Sequence, residues 1–318
     1  MQFNLIGPFE LVTGDGRTHT PKAPKICQML AVLALQPGEA VATDTLIREL
    51  WGENAPGNAP KILQTHVYHA RRMLDEALDT ADRRPLVTQV PGYRLDIDGD
   101  QTDVHVFERL VRQAQRDLSQ GFPENAAAHL VEARRLWRGP MLCNVQVGPV
   151  LTGRVARMEE LRIRALELWV ESEIRLGRHR ELLPELRTLV NDHPLHEWFH
   201  GQLISALHRA GRRGEALQAY RHLYAILKSE LGLEPSAELR RLQAEILHAT
   251  DQDGTRTVAR RRRVSWRREG RLSRSGPGPA PPRAAGGRAP APARAAGGPT
   301  PRTAPPPAPP APRTPAAA

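Results

Sequence analysis

Two short stretches carry the residue types that chemistry would need. The first runs from Gly57 to Leu74 and holds Lys61, Arg71 and Arg72 with His66 and His69, and no acid. Cations gathered without a carboxylate to neutralise them suit contact with phosphates. Interleaved with them are Gln64, Thr65 and Tyr68. A Gln amide can pair with adenine, and an Arg guanidinium with guanine, through paired hydrogen bonds. The Thr65 and Tyr68 hydroxyls suit phosphate oxygens or methyl contacts. The second stretch, His196-Glu197-Trp198-Phe199-His200, reads H-E-x-x-H. Two histidines one helical turn apart can share a zinc ion while the Glu activates water. Either stretch could instead be the solvated side of an ordinary amphipathic helix, the stronger reading for H-E-x-x-H, so the surrounding elements decide.

Around the first stretch, the elements read as strands, then helices, then a strand pair. Phe3 to Val12 is short, apolar and broken by Gly7-Pro8, and Gly14-Asp15-Gly16 signals a turn. Pro24 opens a helix with Ile26, Leu30, Leu33 and Ala34 on one side, and Gln36-Pro37-Gly38 stops it. Thr43-Asp44 caps a second helix carrying Leu46, Ile47 and Leu50, which Trp51-Gly52 ends. Asn58 suits the N-cap of a third, with Pro60 tolerated in its first turn because that N–H has no helical acceptor. Its stripe of Leu63, Val67, Ala70 and Leu74 leaves Lys61, Gln64, Thr65, Tyr68, His69, Arg71 and Arg72 on the other side. Leu86–Val90 and Tyr93–Ile97 flank Pro91-Gly92 as a closing hairpin. Two helices joined by a tight turn and followed by a hairpin make a winged helix-turn-helix, whose second helix, Asn58 to Leu78, would enter a major groove.

Around the second stretch, the pattern is helical throughout and repetitive. Gly177 is followed by Leu182, Leu186 and Leu189, and Gly211 by Ala216, Tyr220 and Leu223 at the same offsets. The two glycines are 34 residues apart, the tetratricopeptide period. Gly121 begins a third copy with Ala126, Leu130 and Ala133. Each glycine would turn the chain between paired helices in a left-handed conformation. Within this array the H-E-x-x-H string lies on a core stripe of Leu195, Phe199, Leu203 and Leu207, and no third ligand is identifiable. We assign no catalytic residue, no metal and no cofactor; the protein reads as a non-enzyme.

Composition narrows the class. The chain has 318 residues and a net charge of +10, which length alone places at about two domains. From Asp251 onward lie 14 Arg, no Lys and 3 acids, leaving 31 basic and 32 acidic residues before it. The body is thus near neutral and the C-terminal stretch carries the positive balance. That stretch is Pro, Ala, Gly and Arg with few large apolar residues, the composition of a disordered tail. Its Arg260–Arg263 run could hold nucleic acid nonspecifically. No apolar run is long enough to span a membrane. The N-terminus lacks a charged segment and a long apolar one, so secretion is not expected. Cys27 and Cys143 are too few for a disulfide framework, and Cys27 reads as a core thiol. A cytoplasmic, nucleoid-associated protein fits, with residues 1–250 long enough for two modest cores.

The segment Pro24–Leu30 through Gln36–Val41, then Leu46-Ile47-Arg48-Glu49-Leu50-Trp51-Gly52, Val67–Leu74 and Pro91-Gly92-Tyr93-Arg94-Leu95, resembles the OmpR/PhoB-type winged-helix domain. The second half resembles a bacterial transcriptional activation domain. It does so at Phe107–Leu110, Leu136-Trp137-Arg138-Gly139-Pro140, Gly177-Arg178-His179, His193-Pro194-Leu195, Ala210-Gly211-Arg212, Ala216–Tyr220 and Glu230–Pro235. Joined, residues 1–250 are similar to a Streptomyces antibiotic regulatory protein.

The resemblance implies a mainly α fold with a small β part. A winged helix over 1–97 would precede a tetratricopeptide-like activation domain over 98–250 and the tail over 251–318. It implies a pathway-specific activator that binds direct repeats of double-stranded DNA as a homodimer and recruits RNA polymerase holoenzyme. By position, Gln64, Tyr68, His69 and Arg71 fall on the groove-facing helix and Thr88 and Gln89 on the wing, with Arg94 on the same hairpin. Lys61, Thr65 and Arg72 complete the expected DNA-contact set. Tyr68, His69 and Gln89 depart from the residue types usual at those positions. No receiver domain precedes the winged helix and no G-x-x-x-x-G-K-[ST] loop occurs, so neither phosphoryl control nor an ATPase module is expected.

Overall fold

The computed structural model describes residues 1–78 and 85–248. The expected tail over 251–318 lies outside the described residues. The chain opens with a three-stranded antiparallel sheet of β1 (Gln2–Asn4), β2 (Glu10–Val12) and β3 (Thr18–His19) in that order. Helix α1 (Pro24–Ala34) is buried along nearly its whole length. A short strand β4 (Ala40–Ala42) leads into α2 (Thr43–Trp51), then α3 (Ala59–Leu78) and the hairpin of β5 (Leu86–Gln89) and β6 (Gly92–Leu95). The second sheet has the order β4-β6-β5, with Val41 opposite Tyr93 and Thr88 opposite Tyr93 on the other side.

Two sequence expectations need correction here. Strand β4 was not foreseen, because three residues of Ala-Val-Ala give no alternation to read. Thr43 does not cap α2: the N-cap is Ala42, in extended conformation and without a side-chain bond. The Thr43 hydroxyl instead donates to the Pro91 carbonyl at 3.2 Å, tying the helix start to the hairpin turn.

After a 3-10 turn at Gly99–Gln101 come α4 (Asp103–Gln120), α5 (Pro123–Arg135), α6 (Pro149–Arg175), α7 (Leu183–Asp192), α8 (Glu197–Arg209) and α9 (Arg213–Glu230). A last helix, α10, spans 237–248. The repeat glycines stand where their spacing placed them. Gly121, Gly177 and Gly211, with φ of 85°, 76° and 77°, follow α4, α6 and α8 and turn each into its partner. The residues that separate the first repeat from the second form the segment after α5 and lengthen α6 to 27 residues.

The expectation of two modest cores gives way to one. A single apolar cluster runs from Phe3, Phe9 and Met29 through Leu63 and Phe107 to Phe199 and Leu223. The described residues fall within one compact unit. Helix α6 carries the continuity, because it packs against α1 and α2 as well as α5. Cys27 is buried, as expected; its thiol donates to the Pro21 carbonyl, and burial pushes its pKa up.

Candidate nucleic-acid interface

Helix α3 owes its orientation to a stripe at spacings of three and four. Ala59, Leu63, Val67, Ala70 and Leu74 are all buried, packed between α1, α2 and β5. The helix starts at Ala59, and the Asn58 carbonyl accepts from the Lys61 and Ile62 N–H groups. No acid occupies its first turn, so the positive end of the helix dipole is left for an outside anion.

Burial of the stripe forces the opposite side outward. Lys61, Gln64, Thr65, Tyr68, His69 and Arg72 are exposed, Tyr68 at 62%. The Gln64 amide makes no hydrogen bond among the described residues, while the Thr65 hydroxyl back-bonds to the Lys61 carbonyl at 3.2 Å. Tyr68 and His69 meet edge to face with ring centroids 5.4 Å apart. Arg72 pairs with Glu76 one turn on, at 3.0 Å and fully in solvent, a contact worth under about 1 kcal/mol. A phosphate could displace that carboxylate.

Three neighbours behave otherwise. Arg71 is half-buried; its Nε donates to the Leu86 carbonyl at 2.9 Å and its Nη2 to the Thr88 hydroxyl at 2.7 Å. It therefore bolts β5 to α3, and sets the wing against the helix as much as it faces a ligand. Arg94 lies on the central strand β6, half-buried, with Nη2 3.3 Å from Asp96. His66 turns inward and stacks on Trp51 at 6.2 Å. Burial, then the neighbouring His69 and Lys25, holds its pKa below the usual range.

On the wing, Thr88 and Gln89 are exposed and Val90 at the turn is 91% exposed. The structure thus brings Lys61, Gln64, Thr65, Tyr68, His69 and Arg72 onto one helix face, with Thr88 and Gln89 on the adjacent wing and Arg71 bridging the two. Such a comb of exposed polar side chains beside a projecting hairpin can enter a groove and grip its walls.

The H-E-x-x-H string is not assembled as a metal site. Helix α8 begins at Glu197, with His196 as its N-cap. His196 faces Glu167 at 3.6 Å and stacks on Phe199, whereas His200 is 2% exposed with Nε2 3.0 Å from the Pro194 carbonyl. Glu197 accepts from the Ser236 N–H at 2.7 Å. Among the described residues no group of three or more His, Cys, Asp or Glu could hold a metal ion.

Sequence reasoning missed two buried carboxylates that join the halves of the molecule. Asp103, fully buried, accepts from the N–H groups of Leu5 and Ile6 and from Arg138 at 2.9 Å. Burial pushes its carboxyl up, against the downward pull of those donors and of the Arg138 charge. Glu49 of α2 is 2% exposed and bonds to backbone at the start of α6. A signal existed for each. Glu49 is three residues after Leu46 and Asp103 four before Phe107, so both acids sit on apolar stripes.

Comparison with known proteins agrees with the geometry. Residues 18–95 match the family described as transcriptional regulatory protein, C terminal, and residues 102–247 the bacterial transcriptional activator domain. Over 253 residues the chain is 42% identical to the regulatory protein DnrI of Streptomyces peucetius, covering 78% of this chain and 93% of that protein. It is 36% identical over 248 residues to the transcriptional regulator RedD of Streptomyces coelicolor, covering 78% and 70%. Among solved structures it is similar to Mycobacterium tuberculosis EmbR in complex with a low affinity phosphopeptide, with a TM-score of 0.72 and 31% identity over 81% of this chain and 70% of that one.

Proposed function

Because this chain belongs to the Streptomyces antibiotic regulatory proteins, a family of DNA-binding transcriptional activators, we propose that it switches on one secondary-metabolite gene cluster by reading direct repeats beside its promoters. The observation that carries this reading is the comb on α3: a helix buried along one side, with Gln64 and its polar neighbours exposed on the other. Gln64 reads a base edge, adenine being its best partner. Lys61, Thr65, Tyr68, His69 and Arg72 grip phosphates and sugar or meet a thymine methyl. Thr88 and Gln89 lie along the neighbouring groove, Arg71 holds the wing at the right distance, and Arg94 stiffens the hairpin from its central strand.

The functional division follows the sequence: 1–97 reads DNA, 98–250 activates, and 251–318 adds nonspecific affinity through its arginines. With 31 bases against 32 acids in residues 1–250, one winged helix has little long-range pull on DNA. Two protomers on adjacent repeats supply the missing affinity through effective concentration. The helical array offers the surface that recruits RNA polymerase holoenzyme. The protein works in the cytoplasm on the nucleoid; among the described residues no helix is long and apolar enough to cross a membrane.

Footprinting on the promoters beside its own gene tests the reading. Protection of two like-oriented repeats, followed by polymerase-dependent transcription in a purified system, is the expected result. Binding that never distinguishes these promoters from random DNA overturns it.

A further inference from the structure

Glu49 belongs to α2, the helix that packs against α3, yet its carboxylate reaches out of the winged helix. Oε1 accepts from the Gly148 N–H at 2.6 Å, and Oε2 accepts from Val150 and Leu151 at 2.7 and 3.1 Å. Those donors are the N-cap Gly148 and two residues in the first turn of α6, which no residue of its own caps by a side chain. A helix leaves its first N–H groups unpaired, and a carboxylate placed there also meets the positive end of the dipole. Here the cap comes from about a hundred residues earlier, out of the other half of the molecule.

The surroundings are fitted to this contact. Gln28 of α1 donates to the Glu49 carbonyl at 2.8 Å and to Oε1 at 3.1 Å, and is itself 2% exposed. At Gly148 there is no room for a side chain. A Cβ would stand 2.2 Å from the Glu49 carbonyl oxygen and 2.8 Å from its carboxylate. Freeing the carboxylate would strand several buried donors together, so the joint has one favourable arrangement. A second fastening between the halves is Asp103 with Leu5, Ile6 and Arg138, helped by the Asn144 side chain on the Phe9 backbone. Glu49 and Asp103 are thus separate fastenings between the halves, and removing Glu49 leaves the other in place.

We infer that Glu49 is a positioning residue for activation: it indexes the helical domain to the DNA-reading helix, so that a bound operator dictates where the activating surface stands. This inference rests on the functional reading above. Loss of the index should spare operator binding, whose contacts lie on α3 and the wing, and should weaken activation, which needs both halves in register.

The test uses the full chain with two variants that break one contact from either side. Glu49→Gln keeps the shape but turns an amide donor toward the N–H donors of α6. Gly148→Ala leaves every residue of the winged helix unchanged. Operator affinity by gel shift is expected to stay within about twofold, while transcripts from the operator promoter with purified polymerase fall at least about tenfold. In the free protein, the distance between spin labels at Glu76→Cys and His222→Cys, in a Cys143→Ser background, should broaden in both variants. Binding and transcription that fall in parallel, or that both hold, would overturn the inference. If the unaltered protein binds no operator, the functional reading is what fails. The label distances still decide the index, and an unchanged distribution would reject it.

Discussion

The outer side of α3 and the seam between α2 and α6 draw on the same residue types and use them in opposite ways. On α3, Gln64 and Lys61 stand in water, and Arg72 pairs with a solvent-exposed carboxylate one turn away. At the seam, Gln28 and Glu49 are each 2% exposed and spend their polar atoms on protein. A polar group kept in water costs nothing to hold and can be given to a partner. A buried one must be satisfied where it is, and then resists any change of geometry. The first arrangement suits recognition and the second suits alignment. Residue type does not separate the two; burial does.

The largest test of this contrast lies at Asp103. Asp103→Ala strands two buried N–H groups and takes the carboxylate partner from the half-buried Arg138, and should cost about 2–4 kcal/mol of stability in urea unfolding. A loss below about 1 kcal/mol would mean that the seam is no tighter than an ordinary surface contact. On the other side, Gln64→Ala should leave unfolding unchanged but reduce the preference for operator over random DNA by about 1–3 kcal/mol, read from competition gel shifts. Equal losses on both DNAs would move Gln64 from base reading to mere grip.

Arg71 and Arg72 sharpen the comparison because they are adjacent. Arg71→Ala removes the Leu86 and Thr88 bonds and should cost about 1 kcal/mol of stability as well as affinity. Arg72→Ala should shift stability by less than about 0.5 kcal/mol while reducing the salt dependence of binding by about one counterion. Identical behaviour in both assays would erase the distinction between bridge and grip. The smallest effect on specificity is expected from removing 251–318: nonspecific affinity falls with the lost arginines, and the ratio of operator to random binding stays constant.

Much of this was readable beforehand because it rests on local periodicity. The α3 stripe of Leu63, Val67, Ala70 and Leu74 predicted which side would be bare, and the glycines at 121, 177 and 211 located the helix turns. What stayed hidden depends on residues far apart in the chain. Asp103 gives no hint in its own neighbourhood that Leu5 and Ile6 will need it, about a hundred positions away. Arg71 looked like its neighbours because its partner Thr88 comes from the wing. Strand β4 exists because β6 pairs with it, and not because Ala-Val-Ala prefers to be extended.

The shared core also limits what can be exchanged among relatives. A winged helix grafted onto another member's helical array would bring its own acid or lack one at position 49, and would meet whatever residue stands at 148. Cutting between residues 97 and 98, where the halves meet, would expose Leu5, Ile6 and Phe9 to solvent, since their backbone partners Asp103, Arg138, Leu142 and Asn144 all come from the far side. Hybrids that swap the glutamate and the glycine as a matched pair, together with the residues facing that first loop, are the ones physics favours to fold.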